Sequence, residues 1–122
     1  MTVLDFSELD SLKADFDDLV LRTPQIDAFC SSSVWILPAQ RAYAPQGRPF
    51  IRFSEAGFVA LMKVRTHDQI SIATPLEMGW GLAAPFAGQD PDRMVALLST
   101  AWRRDPAPVD ALLLSGLPAE GV

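Results

Sequence analysis

One cysteine, one histidine and one tyrosine in 122 residues leave the sequence poor in side chains that commonly do chemistry. Cys30 has no second cysteine with which to close an intramolecular bridge, and one Cys with one His cannot build a zinc site. A secreted disulfide scaffold and a zinc module are both excluded. Basic residues are sparse, and the formal net charge is −5. Neutralising phosphates requires clustered Lys and Arg, and the pairs Lys63/Arg65 and Arg103/Arg104 are too small for that, so nucleic acid is not an expected partner. No apolar run approaches the ~20 residues that span a bilayer. The start, MTVLDFSELDSLKADF, is amphipathic and acidic, without the basic opening and apolar centre of a signal peptide. The expectation is a cytoplasmic protein with no membrane partner.

What is present suits one α+β domain over residues 1–122. Hydrophobic residues make up 49% of the chain and charged ones 20%, and at this length folding buries roughly two-thirds of the unfolded surface without metals or disulfides. The charge is unevenly placed. Residues 1–27 hold seven acids (Asp5, Glu8, Asp10, Asp15, Asp17, Asp18, Asp27) against Lys13 and Arg22, whereas residues 28–122 hold eight of each sign. The acidic excess therefore belongs to an amphipathic segment, 1–23, that precedes the remainder of the domain, 24–118.

Ser7 reads as an N-cap with Asp10 three residues on, and Leu9, Leu12, Phe16, Leu19 and Val20 recur at helical spacing, predicting one helix over 8–21. Thr23-Pro24 stops it. A short second helix is expected over 34–43, with Pro38 in its first turn or just beyond. From Arg48 the period shortens to two. Residues 50–53, 58–65 and 70–73 read as three strands joined by two short turns, an antiparallel meander. Residues 75–88, rich in Gly, Pro and apolar side chains, read as a long loop or a broken strand. Asp90-Pro91-Asp92 opens a further helix carrying Met94, Leu97, Leu98, Ala101 and Trp102 on one face, ended by Pro106 and Pro108. Residues 109–115, nearly continuous in apolar side chains, predict a strand covered on both faces.

Few constellations suggest chemistry. His67 lies beside Asp68 in an expected turn and reads as a solvated residue. Cys30 precedes three serines with no positioned base, which describes a partly buried thiol. Asp15, Asp17 and Asp18 lack the alternating, glycine-containing spacing of a calcium loop and read as a solvated acidic face. Gly79-Trp80-Gly81 lacks the third glycine and the strand–helix frame of a dinucleotide fingerprint. No metal site is expected. The loop is the most informative stretch: Leu76, Met78, Trp80, Leu82 and Phe86 are apolar where loops are ordinarily polar, and must be covered by the fold, by a small molecule or by another chain. All three readings stand at this point.

The order helix, helix, three antiparallel strands, helix, strand resembles the first part of the GNAT N-acetyltransferase fold. Pro75-Leu76, the run Trp80 to Pro85, Gly88-Gln89-Asp90-Pro91, the Leu-rich helix and the stretch from Asp110 to Pro118 resemble the N-terminal lobe of tandem GNAT proteins of the FemAB-like and cellulose-biosynthesis-associated type. The resemblance covers residues 24–118. It implies acyl-CoA pyrophosphate on backbone amides between the fourth strand and the next helix, near Gly88, Gln89 and Asp90, and Glu77 as the strand-end carboxylate able to act as a base. The R/Q-x-x-G-x-G/A pattern of such families is missing from residues 84–90, and the chain ends after the strand equivalent to the fifth. The expectation is thus a truncated, non-catalytic lobe without a cofactor, acting through a protein partner or self-association by way of its sheet edge and the loop residues Leu76, Met78, Trp80, Leu82 and Phe86. An acyl-CoA-binding N-acyltransferase using acetyl-CoA, and a small-molecule binder walled by residues 75–90, are the alternatives.

Overall fold

Alternation with period two along the middle of the chain sorts side chains onto two faces of a sheet, and each face buries its own core. The computed structural model describes residues 1–106 and 109–117. Among them it forms an α+β fold: strands β1 (Thr2–Leu4), β2 (Arg48–Ser54), β3 (Gly57–Arg65), β4 (Ser71–Pro75), β5 (Phe86–Ala87) and β6 (Ala111–Leu112), with helices α1 (Phe6–Ser11), α2 (Lys13–Arg22), α3 (Ser33–Tyr43) and α4 (Pro91–Arg104). The sheet order is β1-β2-β3-β4-β6, antiparallel throughout except for the parallel β4–β6 pair. Pro108 and Pro118, the expected ends of α4 and of the domain, lie outside the described residues.

Even-numbered positions of β3 face one way. Phe58, Ala60, Met62 and Val64 join Ile51, Leu9, Phe16, Val20, Ile36 and Leu37 in a core beneath α1, α2 and α3. Phe16 meets Phe58 edge-on at 5.3 Å, and Phe53 stacks on Phe58 at 4.5 Å. Odd-numbered Val59 and Leu61 face the other way, with Phe50 and Ala73, against Met94, Leu97 and Ala101 of α4. Each large apolar side chain buried in these layers contributes roughly 1.5–3 kcal/mol.

The expected meander is present as β2, β3 and β4, and α3 and α4 match their expected spans within a residue or so. Three expectations are corrected. The first helix is two, broken at Leu12, and its N-cap is Asp5 rather than Ser7. Asp5 Oδ1 accepts the Glu8 N–H at 2.7 Å, and Glu8 Oε1 accepts the Asp5 N–H at 3.0 Å. The longer Glu side chain reaches back where Asp10, three residues after Ser7, is too short to do so. Ahead of this cap, Thr2–Leu4 forms β1, a strand too short to show a period. The last strand is not covered on both faces: it spans only Ala111–Leu112, Ala111 is exposed and Leu112 half-buried, and Leu113 and Leu114 beyond it are exposed.

The segment after β4 is an interruption in a single line of strand. β4 pairs with Leu61–Arg65 of β3, and β5 pairs with Phe58 and Val59, both antiparallel. The Ala60 N–H donates to Pro85 C=O at 2.8 Å between them. Residues 76–85 therefore bulge out from one edge of β3. Gly57 admits this close approach: its φ is +140°, and a Cβ there would collide with the Ala87 carbonyl.

Candidate functional site

The bulge divides the five apolar loop residues by burial. Leu76 is fully buried in the first core, and Phe86 is half-buried against the second. Met78, Trp80 and Leu82 are exposed, Trp80 at 71%. The chain after β6 returns to this loop, because the Gly116 N–H donates to Gly81 C=O at 3.0 Å. Gly116 takes φ +70°, and a Cβ on it would run into the Ala83 carbonyl, so only glycine allows the two segments to lie so close. Leu113, Leu114 and Leu117, in the segment that reaches the loop at Gly116, are exposed, as are Met78, Trp80 and Leu82 in the loop itself.

Glu77, in the same loop, is 3% exposed. One of its oxygens accepts the Trp80 N–H, while Oε1 has no hydrogen-bond partner. Across from it on α3, the Trp35 indole Nε1 is likewise buried and unpartnered. Trp35 is held by contact with Phe29, ring centres 5.6 Å apart. Cys30 is close by, its N–H bonded to Asp27 Oδ1 at 2.8 Å. Burial first, then the Asp27 carboxylate and Glu77 push the Cys30 thiol above its ordinary value. A thiol so placed is protonated at neutral pH and is a poor nucleophile.

The positions that the resemblance assigned to a CoA pyrophosphate are engaged within the fold. Gly88 N–H donates to Thr23 Oγ1 at 2.9 Å, and a Cβ at Gly88 would meet Met94 and the Ala56 carbonyl. Asp90 Oδ1 accepts the N–H groups of Asp92 and Arg93 at 3.0 and 3.4 Å, using donors that an anion would need. Gln89 is exposed.

His67 and Asp68 are exposed in the turn between β3 and β4. Asp18 pairs with Arg22 on α2. Asp17, by contrast, is no solvated bystander: it accepts the Ser33 N–H at 2.7 Å and the Ser33 hydroxyl at 2.6 Å, tying α2 to the start of α3. No cluster of three potential metal ligands occurs among the described residues, and none of their helices is long and apolar enough to cross a membrane.

Sequence reasoning missed Trp35 and a second buried charged group on the opposite face of the sheet. There Lys63 pairs with Asp105, and Arg52, 7% exposed, lies over the Phe50 ring with 4.7 Å from guanidinium carbon to ring centre. Lys63 shares the odd-numbered register of Val59 and Leu61, so strand alternation alone marked it as an inward-facing cation. Trp35 carried no comparable signal. Comparison of the chain with protein-family models, with curated proteins and with solved structures returned no match.

Proposed function

We propose that this chain is a GNAT-like, non-catalytic lobe that works by associating with protein, either a different partner or a second copy of itself. The observation that carries the reading is the Gly116–Gly81 hydrogen bond, which joins the segment holding exposed Leu113, Leu114 and Leu117 to the loop holding exposed Met78, Trp80 and Leu82, next to β6, whose one strand neighbour among the described residues is β4. An edge strand flanked by exposed apolar side chains is a template for strand pairing, and a contiguous apolar patch is a feature of interaction surfaces. The antiparallel β2-β3-β4 meander and the helix between parallel β4 and β6 support the GNAT-like assignment, although β1, the split first helix and β5 add elements to the expected order. The amides near Gly88 and Asp90 are already engaged, which favours a lobe without cofactor over an N-acyltransferase using acetyl-CoA.

Trp80→Ala tests the reading. The expected result is lost association in sedimentation or co-purification with a denaturation midpoint unchanged. A loss of ~3–5 kcal/mol, the range for deleting a core aromatic, would show that Trp80 is structural and end the proposal. Acetyl-CoA at millimolar concentration is expected to leave the thermal midpoint unmoved; a clear rise would favour the acyltransferase instead.

A further inference from the structure

The face of the sheet that packs on α4 carries three cations at one end of its strands. Arg48 of β2 stands directly opposite Lys63 of β3, Arg65 follows two residues along β3, and Ser71 of β4 stands opposite Arg65, so all four side chains leave the same face. Like charges directly opposite one another destabilise a strand pair. Asp105 answers Lys63, whereas no carboxylate among the described residues pairs with Arg48 or Arg65. Arg65 donates once, from Nη1 to Gln69 Oε1 at 3.2 Å, and the Arg48 guanidinium has no partner among the described residues. These cations line a cavity of about 450 Å³ whose wall also includes Ser71 and Val109 but, among the described residues, no Asp or Glu. Arg48 and Arg65 are exposed, and Val109 is half-buried against the α4-side core, which gives the cavity an apolar wall. Diagonal neighbours on facing strands root their side chains ~7–8 Å apart, and each guanidinium fork can hold one carboxylate by two hydrogen bonds. The volume is many times the ~30 Å³ share of one water, so a single small oxyanion would leave most of it empty.

We propose that this cavity binds a short aliphatic dicarboxylate, with one carboxylate on the Arg48 guanidinium and the other on the Arg65 guanidinium. The Ser71 hydroxyl, opposite Arg65 in the register, donates to the second carboxylate, and the methylene chain lies against Val109. Lys63 stays paired with Asp105 and adds positive potential between the two arginines. The site shares no residue with the 75–90 loop or with residues 113–117, so it stands or falls apart from the association proposed above.

Glutarate is a suitable probe, with three controls: butyrate keeps one carboxylate, glutaramide keeps the chain without charge, and inorganic phosphate places its charge on a single centre. Calorimetry on the full chain at low ionic strength is expected to show saturable glutarate binding in the millimolar range or tighter, weakening as salt is added. Butyrate should bind about tenfold more weakly, for the loss of one charge-assisted pair. Phosphate, which reaches one fork at a time, should bind no better than butyrate, and glutaramide not measurably. Arg48→Gln and Arg65→Gln change exposed positions, where substitution leaves folding intact; each should bring glutarate down to the butyrate level. Arg41→Gln, at an exposed arginine outside the cavity, should leave glutarate binding unchanged. Absence of saturable glutarate binding, or undiminished binding to either cavity variant, would overturn the proposal. So would butyrate or phosphate binding as tightly as glutarate, or an Arg41→Gln loss equal to that of the cavity variants, since each would show attraction to positive charge at large.

Discussion

Asp105 and Glu77 are carboxylates buried to the same degree on opposite faces of one sheet, the Asp105 side chain 3% exposed and Glu77 3% exposed as a residue. Asp105 has company. Lys63 pairs with it, and it draws the Arg52 guanidinium back up after burial has pulled that group below its ordinary value. Glu77 has one backbone N–H on one oxygen and nothing on the other. The contrast separates two uses of a buried charge. A carboxylate whose attraction to a cation offsets its desolvation belongs to the architecture, and one left half-satisfied carries a desolvation cost that nothing beside it offsets.

Breaking the satisfied pair should have the largest effect. Lys63→Met removes the cation and keeps the aliphatic bulk, taking the ion pair from buried Asp105 while the Arg52 guanidinium still acts on it. Removing one partner of a buried pair typically costs ~3–5 kcal/mol, and the remaining guanidinium places this variant at the lower end of that range. Urea denaturation measures it; a cost below about 1 kcal/mol would mean that the pair behaves as a surface ion pair and that the contrast with Glu77 is not one of satisfaction. Glu77→Gln should go the other way. A neutral amide keeps an oxygen for the Trp80 N–H and removes a charge with no counterion, so the variant should be as stable as the wild type or more stable by about 1 kcal/mol. A clear loss of stability would show that the carboxylate has a partner within the fold.

The two sites also differed in how far the sequence revealed them. The meander, the Asp90 cap and the two-faced sheet were legible because each rests on a local rule: period two, a capping residue with Pro at the first helical position, turn residues between strands. Lys63 was missed although the same rule applied to it, as a charge at an inward strand position. Local rules failed where a distant contact decides the outcome. The capping box at Asp5 won over Ser7 through side-chain reach, and the exposure of Leu113 and Leu114 follows from β6 standing last in the sheet, which no apolar run can announce. The loop residues were singled out as a group, and their division into buried Leu76 and exposed Trp80 depends on how the bulge leaves β3. Glu77 and Trp35, 42 positions apart, come to border one cavity through tertiary packing alone.

The smallest expected effect is also the most direct probe of the field that Glu77 projects. Cys30 is raised by burial, then by Asp27, and least by Glu77. Because a thiol ionises to an anion, a raised value means fewer thiolates at any given pH, and the thiolate is the form that reacts with iodoacetamide. Removing the Glu77 charge should therefore speed alkylation of Cys30 at pH 8, and Asp27→Asn should speed it more, while burial keeps both variants slower than a free cysteine. The rate in each protein should climb as pH rises toward the raised value. If Glu77→Gln leaves the alkylation rate unchanged while Asp27→Asn raises it, the Glu77 carboxylate is already neutralised in the wild type, and the difference between it and Asp105 disappears.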